Sequence, residues 1–145
     1  MKKFTLILLI ALSSLLVSRV AWSLSDCTGK YSPSNWHNCW GSYTWTKKSQ
    51  FQGDNYTGEH WKGKMHGFGT YTYGKKSQFS GDVYVGQFKN DKREGQGTYY
   101  FTNKPFAGDV YEGQWKNSLM HGKGTYTWQN GEKLSGTFKF HQFVN

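Results

Sequence analysis

The chain has 145 residues, of which 18 are Lys or Arg, 9 are Asp or Glu, 18 are Gly and 27 are aromatic. Downstream of residue 23 it keeps 25 aromatic residues and every glycine but only nine Leu, Val and Met together. Helical bundles and doubly wound α/β enzymes need many aliphatic residues, and disordered chains are poor in aromatic ones. The composition therefore excludes the first two classes, disfavours disorder and predicts an all-β fold with strands rich in Tyr, Trp, Phe and Thr.

Residues 1–23 have the three parts of a secretory signal peptide. A positive start, Lys2-Lys3, precedes an apolar stretch over residues 4–17, and small residues precede a cut after Ser23. The apolar stretch is shorter than the ~20 residues of a membrane-spanning helix, so the sequence favours cleavage over an anchor. We therefore expect an exported protein, and the character of the signal indicates a bacterial periplasm or cell envelope.

Cys27 and Cys39 are the only cysteines of the chain. In an oxidising compartment they are expected to form a disulfide that ties down an N-terminal segment, residues 24–37. Zinc would need more ligands than His37 offers nearby. Residues 24–27 also resemble a bacterial lipobox, although Asp26 stands where that motif has a small residue, so lipidation of Cys27 is the alternative.

Removal of the signal leaves 15 Lys and Arg against 9 Asp and Glu, a net charge of +6. A basic exported domain suits anionic lipid headgroups or acidic envelope polymers, and the same charge serves equally for solubility alone. Nucleic acid is not expected as a partner of an exported chain.

One pattern occurs three times and organises the mature chain. The first half of each copy reads Tyr-x-Gly-x followed by an aromatic residue, which is replaced by His60 in the first copy. The second half reads His-Gly or Glu-Gly followed by x-Gly-Thr-Tyr. The residues that define it are Tyr56, Gly58, His66, Gly67 and Gly69; Tyr84, Gly86, Phe88, Gly95 and Gly97; and Tyr111, Gly113, Trp115, His121, Gly122 and Gly124. Residues 41–45 supply only a second half, and residues 134–138 supply only a first half. The repeat unit is 27–28 residues long.

Each half repeat alternates with period two, which predicts a strand, and a polar, turn-like segment separates the two halves. Each repeat is therefore predicted to be a β-hairpin. Its glycines leave room for a ring of the neighbouring strand to lie flat across the sheet. We predict an elongated, single-layer, twisted antiparallel sheet of seven or eight strands over residues 38–140, followed by a C-terminal tail, residues 141–145.

This pattern resembles the MORN repeat, Tyr-x-Gly-x-Trp followed by His-Gly-x-Gly, over nearly the whole mature chain. The repeat unit here is longer than the common unit of that family, because an insertion precedes each opening Tyr. The insertions end in Gly53-Asp54, Gly81-Asp82 and Gly108-Asp109. These pairs predict β-bulges or strand extensions. The resemblance implies a non-enzymatic module that assembles or positions other proteins, often at membranes.

No residue set points to catalysis. The chain has no nucleophile elbow, phosphate loop, dinucleotide fingerprint or metalloprotease helix motif, so neither enzymatic activity nor a cofactor is expected. Asp54, Asp82 and Asp109 recur in register and could form a calcium-binding row. One Asp per repeat is more simply a turn or bulge residue, because calcium needs six or more oxygen ligands in one place.

The histidines also have simple explanations. His66 and His121 lie two repeats apart, so they cannot converge on a metal, and they are expected to bond to turn backbone. His60 stands in the slot that Phe88 and Trp115 fill, and it is expected to pack in the sheet as a ring.

The positive functional signal is collective, because the hairpins place a ladder of rings on one face: Tyr43, Trp45, Tyr71, Tyr73, Tyr99, Phe101, Tyr126 and Trp128. If these rings line a groove, it could hold an extended partner segment, and we favour such a protein-interaction scaffold. The alternatives are an anionic-lipid or membrane-surface binder that uses recurrent lysines, and a binder of envelope polysaccharide. Rings that only form the core would leave just the ends and rims of the ladder for binding. Copies could also associate end to end through an open strand edge.

Overall fold

A computed structural model of the protein describes residues 24–46 and 49–144. The predicted signal peptide therefore lies outside the described residues. The described residues form one open sheet of nine antiparallel strands, whose order in the sheet is their order in the chain. The strands are β1 (Cys39–Thr44), β2 (Asn55–Trp61), β3 (Lys64–Thr72), β4 (Val83–Lys89), β5 (Lys92–Tyr100), β6 (Val110–Lys116), β7 (Leu119–Thr127), β8 (Lys133–Lys139) and β9 (Gln142–Phe143). The predicted all-β, single-layer twisted sheet of hairpins is confirmed.

Two-residue turns join the two strands of each repeat. Their central residues are Lys62-Gly63, Asn90-Asp91 and Asn117-Ser118, all with φ between 50° and 68°. Positive φ at both positions defines the type I′ turn, whose twist matches that of the flanking strands. The polar segment from Lys89 to Glu94 is therefore mostly strand, and only its two central residues form the turn.

The C-terminal tail adds a ninth strand where seven or eight were predicted. Phe140 and His141 form a fourth turn of the same kind, with φ of 52° and 68°, and β9 then pairs with β8. Neither residue is the Asn or Gly that tolerates positive φ most readily, so this turn has no signature in the sequence.

The Gly-Asp pairs at the end of the insertions are β-bulges, one of the two geometries predicted. The N–H of Gly53 donates to the carbonyl of Trp45 at 2.8 Å, and the N–H of Trp45 donates to the carbonyl of Asp54 at 3.0 Å. Gly53 and Asp54 thus oppose the single residue Trp45. A glycine with positive φ at the first of the two positions, here +91° at Gly53, identifies the bulge as the G1 type. The same bonds recur at Gly81-Asp82 and Gly108-Asp109.

The core lies on one face of the sheet, where the opening tyrosines of the three repeats are fully buried. Each of these rings crosses the glycine of the next strand, as predicted. A β-carbon at Gly69, for example, would lie 2.6 Å from Cζ of Tyr56, closer than any real contact. The Tyr56 hydroxyl donates to the carbonyl of Glu59 at 2.9 Å, which fixes the ring over the sheet. The opposite face carries mainly Thr, Val, Ser, Gln and Lys side chains, together with the buried ring of Tyr100.

Candidate binding groove

Two continuous chains of ring contacts cross the core face of the sheet. We call the first the core ladder, and all its neighbouring rings meet edge to face with centroids 5.0–5.4 Å apart. It comprises, in order of contact, His60, Tyr56, Phe88, Tyr84, Trp115, Tyr111, Phe138 and Phe143. Edge-to-face contacts are a favoured arrangement of aromatic pairs, so this ladder replaces the aliphatic core that the chain lacks.

The second chain, which we call the groove ladder, consists of the eight rings predicted to line a groove. They contact one another in chain order, with centroids 4.6–6.1 Å apart, from Tyr43 through Trp45, Tyr71, Tyr73, Tyr99, Phe101 and Tyr126 to Trp128. The structure thus brings all of these residues together on one face.

The rings of the groove ladder differ in exposure. Tyr71 and Tyr99 are buried, Trp128 is 39% exposed, and the other five are half-buried. Tyr43 is also covered by Tyr31 of the N-terminal segment, which stacks on it with a centroid distance of 4.2 Å. Tyr71 and Tyr99 therefore belong mainly to the core, and the remaining rings offer most of the surface that a ligand could contact.

Three phenylalanines that we did not predict as site residues stand beside this ladder. Phe51, Phe79 and Phe106 lie in the connections between repeats and are 46%, 44% and 53% exposed. The ring of Phe79 contacts Tyr73 at 5.4 Å. Their spacing of 28 and 27 residues follows the repeat and is the signal that could have identified them.

Phe51 and Phe79 form one wall of a cavity of about 530 Å³, whereas Phe106 lines a separate pocket beside Trp128. Tyr71, Tyr73 and Phe88 line the floor of the cavity, and side chains near the hairpin turns, among them Met65 and Arg93, line the opposite wall. The lining is largely aromatic and its residues run from the N-terminal segment to the third repeat, which suits an extended apolar ligand. We call this cavity the aromatic groove.

The loop carboxylates hold the phenylalanine wall in place. Asp82, buried at 3% exposure, accepts hydrogen bonds from the hydroxyl of Tyr99 at 2.8 Å and from the N–H of Thr102 at 2.7 Å. Burial and this bond to a carboxylate raise the pKa of Tyr99. Each of the other two carboxylates likewise binds one tyrosine hydroxyl and one backbone N–H, Asp54 those of Tyr71 and Gly74, and Asp109 those of Tyr126 and Gln129.

Each aspartate therefore has separate structural partners in the following repeat, which agrees with the bulge role. No three His, Cys, Asp or Glu residues are grouped to hold a metal ion within the described ranges.

His60 packs as a ring of the core ladder, as expected. It is 3% exposed and meets Tyr56 and Trp36 edge to face, with centroids 5.1 and 4.7 Å away. Burial lowers its pKa to about 4, so the imidazole is neutral at neutral pH.

The expectation for the other two repeat histidines was wrong. In the described structure, Nδ1 of His66 and of His121 is buried without a hydrogen-bond partner. The turn N–H groups bond to the preceding repeat instead: Asp91 donates to the carbonyl of Met65 at 3.0 Å, and Ser118 donates to the carbonyl of Arg93 at 2.9 Å.

The N-terminal segment covers part of the first edge of the sheet. Cys27 and Cys39 lie at disulfide distance, with their sulfurs 2.04 Å apart. Beside them, Asp26 forms an isolated bridge with Trp40 of β1. Because a sulfur bound in a disulfide cannot also carry a lipid thioether, this pairing and lipidation of Cys27 exclude each other.

At the other end of the sheet, β9 pairs with only the last residues of β8. On the side away from β7, the first half of β8 therefore has no paired strand among the described residues, and end-to-end association remains a prediction.

The comparison with known protein families agrees with the repeat pattern. The family model of the MORN repeat matches residues 56–78, 84–104 and 111–133, and each match begins at a buried tyrosine of the core ladder. A search of curated proteins finds no significantly similar sequence. In the part of the chain that the structure describes, no helix is long and apolar enough to cross a membrane. The three matched repeats build one continuous sheet, and the chain belongs to the MORN-repeat proteins.

Proposed function

We propose that this protein is a non-enzymatic binding module of the cell envelope, which holds an extended segment of a partner protein in its aromatic groove. The observation that carries this proposal is the row of exposed phenylalanines, Phe51, Phe79 and Phe106. The first two line the groove, and the third contacts Phe101 of the groove ladder. Large apolar rings in a repeated, exposed row are typical of an interaction surface, because single domains otherwise bury such rings.

The family supports a binding role. MORN repeats generally mediate protein or membrane interactions, and MORN-repeat proteins are typically not enzymes. The expected export is consistent with the Cys27–Cys39 pair, because disulfides persist in oxidising compartments.

The spacing of the groove suits an extended peptide. Equivalent positions in successive repeats are separated by two strands, or roughly 10 Å, since neighbouring strands lie about 4.8 Å apart. An extended chain covers that distance in about three residues. We therefore expect a partner segment that presents an apolar side chain at about every third residue.

Selection from a random-peptide display library against residues 24–145 tests this function. The selected peptides should bind the Phe79→Ser variant at least about tenfold more weakly, because serine removes a groove wall. Glu112→Ala changes an exposed side chain on the opposite face of β6 and serves as the matched control. Peptides that bind Phe79→Ser as tightly as the native chain would contradict the proposal.

A specific observation also favours a second candidate, binding to an anionic membrane surface. Lys75 and Lys76 precede the exposed Phe79, and Lys104 precedes the exposed Phe106. Lysines beside exposed rings suit a lipid interface. This candidate predicts sedimentation with phosphatidylglycerol vesicles that fades as salt rises, whereas protein that stays in the supernatant at low salt would exclude it.

A further inference from the structure

One charged side chain projects into the aromatic groove at a position that the other repeats fill with methionine. Arg93 opposes Phe88 in the sheet, as Met65 opposes His60 and Met120 opposes Trp115. The three residues are therefore equivalent. Only the central repeat places a guanidinium among the groove residues.

The guanidinium of Arg93 is held over rings of both ladders. Its carbon Cζ lies 4.4 Å from the ring centroid of Trp115, 5.1 Å from that of Tyr99 and 5.7 Å from that of Tyr84. Nη2 donates to the carbonyl of Ser118 at 2.7 Å. These contacts fix the orientation of the side chain before any ligand arrives.

The charge of Arg93 has no carboxylate partner in the described part of the chain. Its contacts there are the three rings and one neutral carbonyl, so most of its five N–H donors are free for a ligand. Burial raises the pKa of Tyr73 and of Tyr84, and the positive charge of Arg93 lowers it again in part. The electrostatic field of Arg93 therefore reaches Tyr73 on the groove floor.

Among the described residues, the one other charged side chain that lines the cavity is Asp91. It is exposed, and its Oδ1 accepts the N–H of Met65 at 2.9 Å. The guanidinium is the one cationic group among the described lining residues, which suits a ligand group with a single negative charge. A guanidinium in a mostly aromatic site matches the planar fork of a carboxylate.

We propose that Arg93 makes the groove selective for a partner segment that carries an Asp or Glu side chain flanked by apolar residues. The carboxylate binds the free edge of the guanidinium, and the apolar flanks stack on Tyr73 and Phe79. This inference rests on the proposed function, because it names the chemistry of the segment that the groove holds.

The first test uses two small probes, N-acetylphenylalanine, which has a carboxylate beside a ring, and its uncharged amide. In an NMR titration of residues 24–145, millimolar carboxylate should shift the Arg93 Nε–H and Trp115 indole signals, and the amide should bind at least about tenfold more weakly. Arg93→Met should abolish this preference and remain folded, because methionine fills the same position in two other repeats. Arg93→Lys should keep part of it, since the charge remains without the fork.

Equal binding of the two probes, no shift with either, or a preference that survives in Arg93→Met would overturn the inference. Soluble dioctanoyl phosphatidylglycerol forms a third arm, and tighter Arg93-dependent binding of this phosphodiester than of the carboxylate would also overturn it.

The second test separates this inference from the proposed function. Peptides selected on the native chain should be enriched in Asp or Glu between apolar residues, and Arg93→Met should weaken them about tenfold or more. Peptides that depend on Phe79 but lack an acidic residue would overturn the inference and leave the proposed function standing. If the carboxylate probe binds in an Arg93-dependent way but no selected peptide depends on Phe79, the proposed function is overturned and the carboxylate preference of Arg93 stands.

Discussion

Tyr84 lies flat across Gly97 of the neighbouring strand, so closely that a β-carbon at Gly97 would stand 2.6 Å from Cε2 of the ring. The same relationship holds for Tyr56 with Gly69 and for Tyr111 with Gly124. The packing of a tyrosine ring on a glycine of the next strand is thus repeated along the sheet, which explains why the chain is rich in both aromatic residues and glycine.

Gly97→Ala is expected to destabilise the protein by about 1–3 kcal/mol, because the added methyl group overpacks the buried ring of Tyr84. Urea denaturation measures the change in the free energy of unfolding. A double-mutant cycle with Tyr84→Leu supplies the control, since the smaller side chain relieves the clash. Strictly additive effects of the two substitutions would contradict the account, because residues in contact should couple by about 0.5 kcal/mol or more.

His60 should make stability depend on pH below neutrality. Its pKa falls to about 4 on folding, so the unfolded chain takes up a proton at higher pH than the folded chain does. Its contribution to stability is fully present above about pH 6.5 and is lost as the pH falls towards 4. The expected loss is about 1–3 kcal/mol.

The His60→Phe variant isolates this effect, because Phe88 and Phe138 already fill equivalent places in other repeats. Its free energy of unfolding should change less than that of the native chain between pH 6.5 and 4. Parallel pH profiles for the two proteins would show that His60 is not the titrating group.

Asp82→Ala should cost about 2–4 kcal/mol, because it leaves the Tyr99 hydroxyl and the Thr102 N–H unpaired in a buried place. Glu112→Ala, an exposed acidic side chain, is the control and should change stability by less than about 0.5 kcal/mol. Thermal melts with and without calcium complete the test. A rise in Tm with calcium that Asp82→Ala removes would restore the metal-binding alternative.

Reduction of the disulfide should lower the free energy of unfolding by about 2–3 kcal/mol in the loop-entropy model. Denaturation with and without dithiothreitol measures this difference. The Cys27→Ser/Cys39→Ser double variant should match the reduced protein and should not respond to the reductant. A double variant as stable as the oxidised protein would remove the predicted role of the pair.

The fold could be predicted from the sequence because its regularity is local. Period-two alternation identifies the strands, and the recurrence of Tyr84 and Gly97 at equivalent positions shows which strands must touch. The ninth strand could not be predicted in this way, because its turn uses Phe140 and His141 at positive φ without Asn or Gly.

The candidate site was predictable only in part. Alternation places Tyr71 and Tyr73 on the same face, but it does not tell that the first is buried while the second is half-exposed. Tyr71 is buried because it contacts Trp45 and Tyr73 and donates its hydroxyl to Asp54 of the connection between repeats, and the alternation does not reveal these contacts. The phenylalanine wall depends on the conformation of the connections. Arg93 looks in the sequence like an ordinary divergence of one repeat, because only the structure shows that it lies over Trp115.

Site-specific photocrosslinking tests the central claim, that a partner occupies the aromatic groove, most directly. The photocrosslinker p-benzoylphenylalanine replaces Phe79 on the groove wall in one variant and Val85, which lies on the opposite face of β4, in the other. With peptides from the display selection, and then with the partner in intact cells, position 79 should yield a crosslinked product and position 85 should not. Crosslinks from position 85 alone, or equally from both positions, would contradict the account.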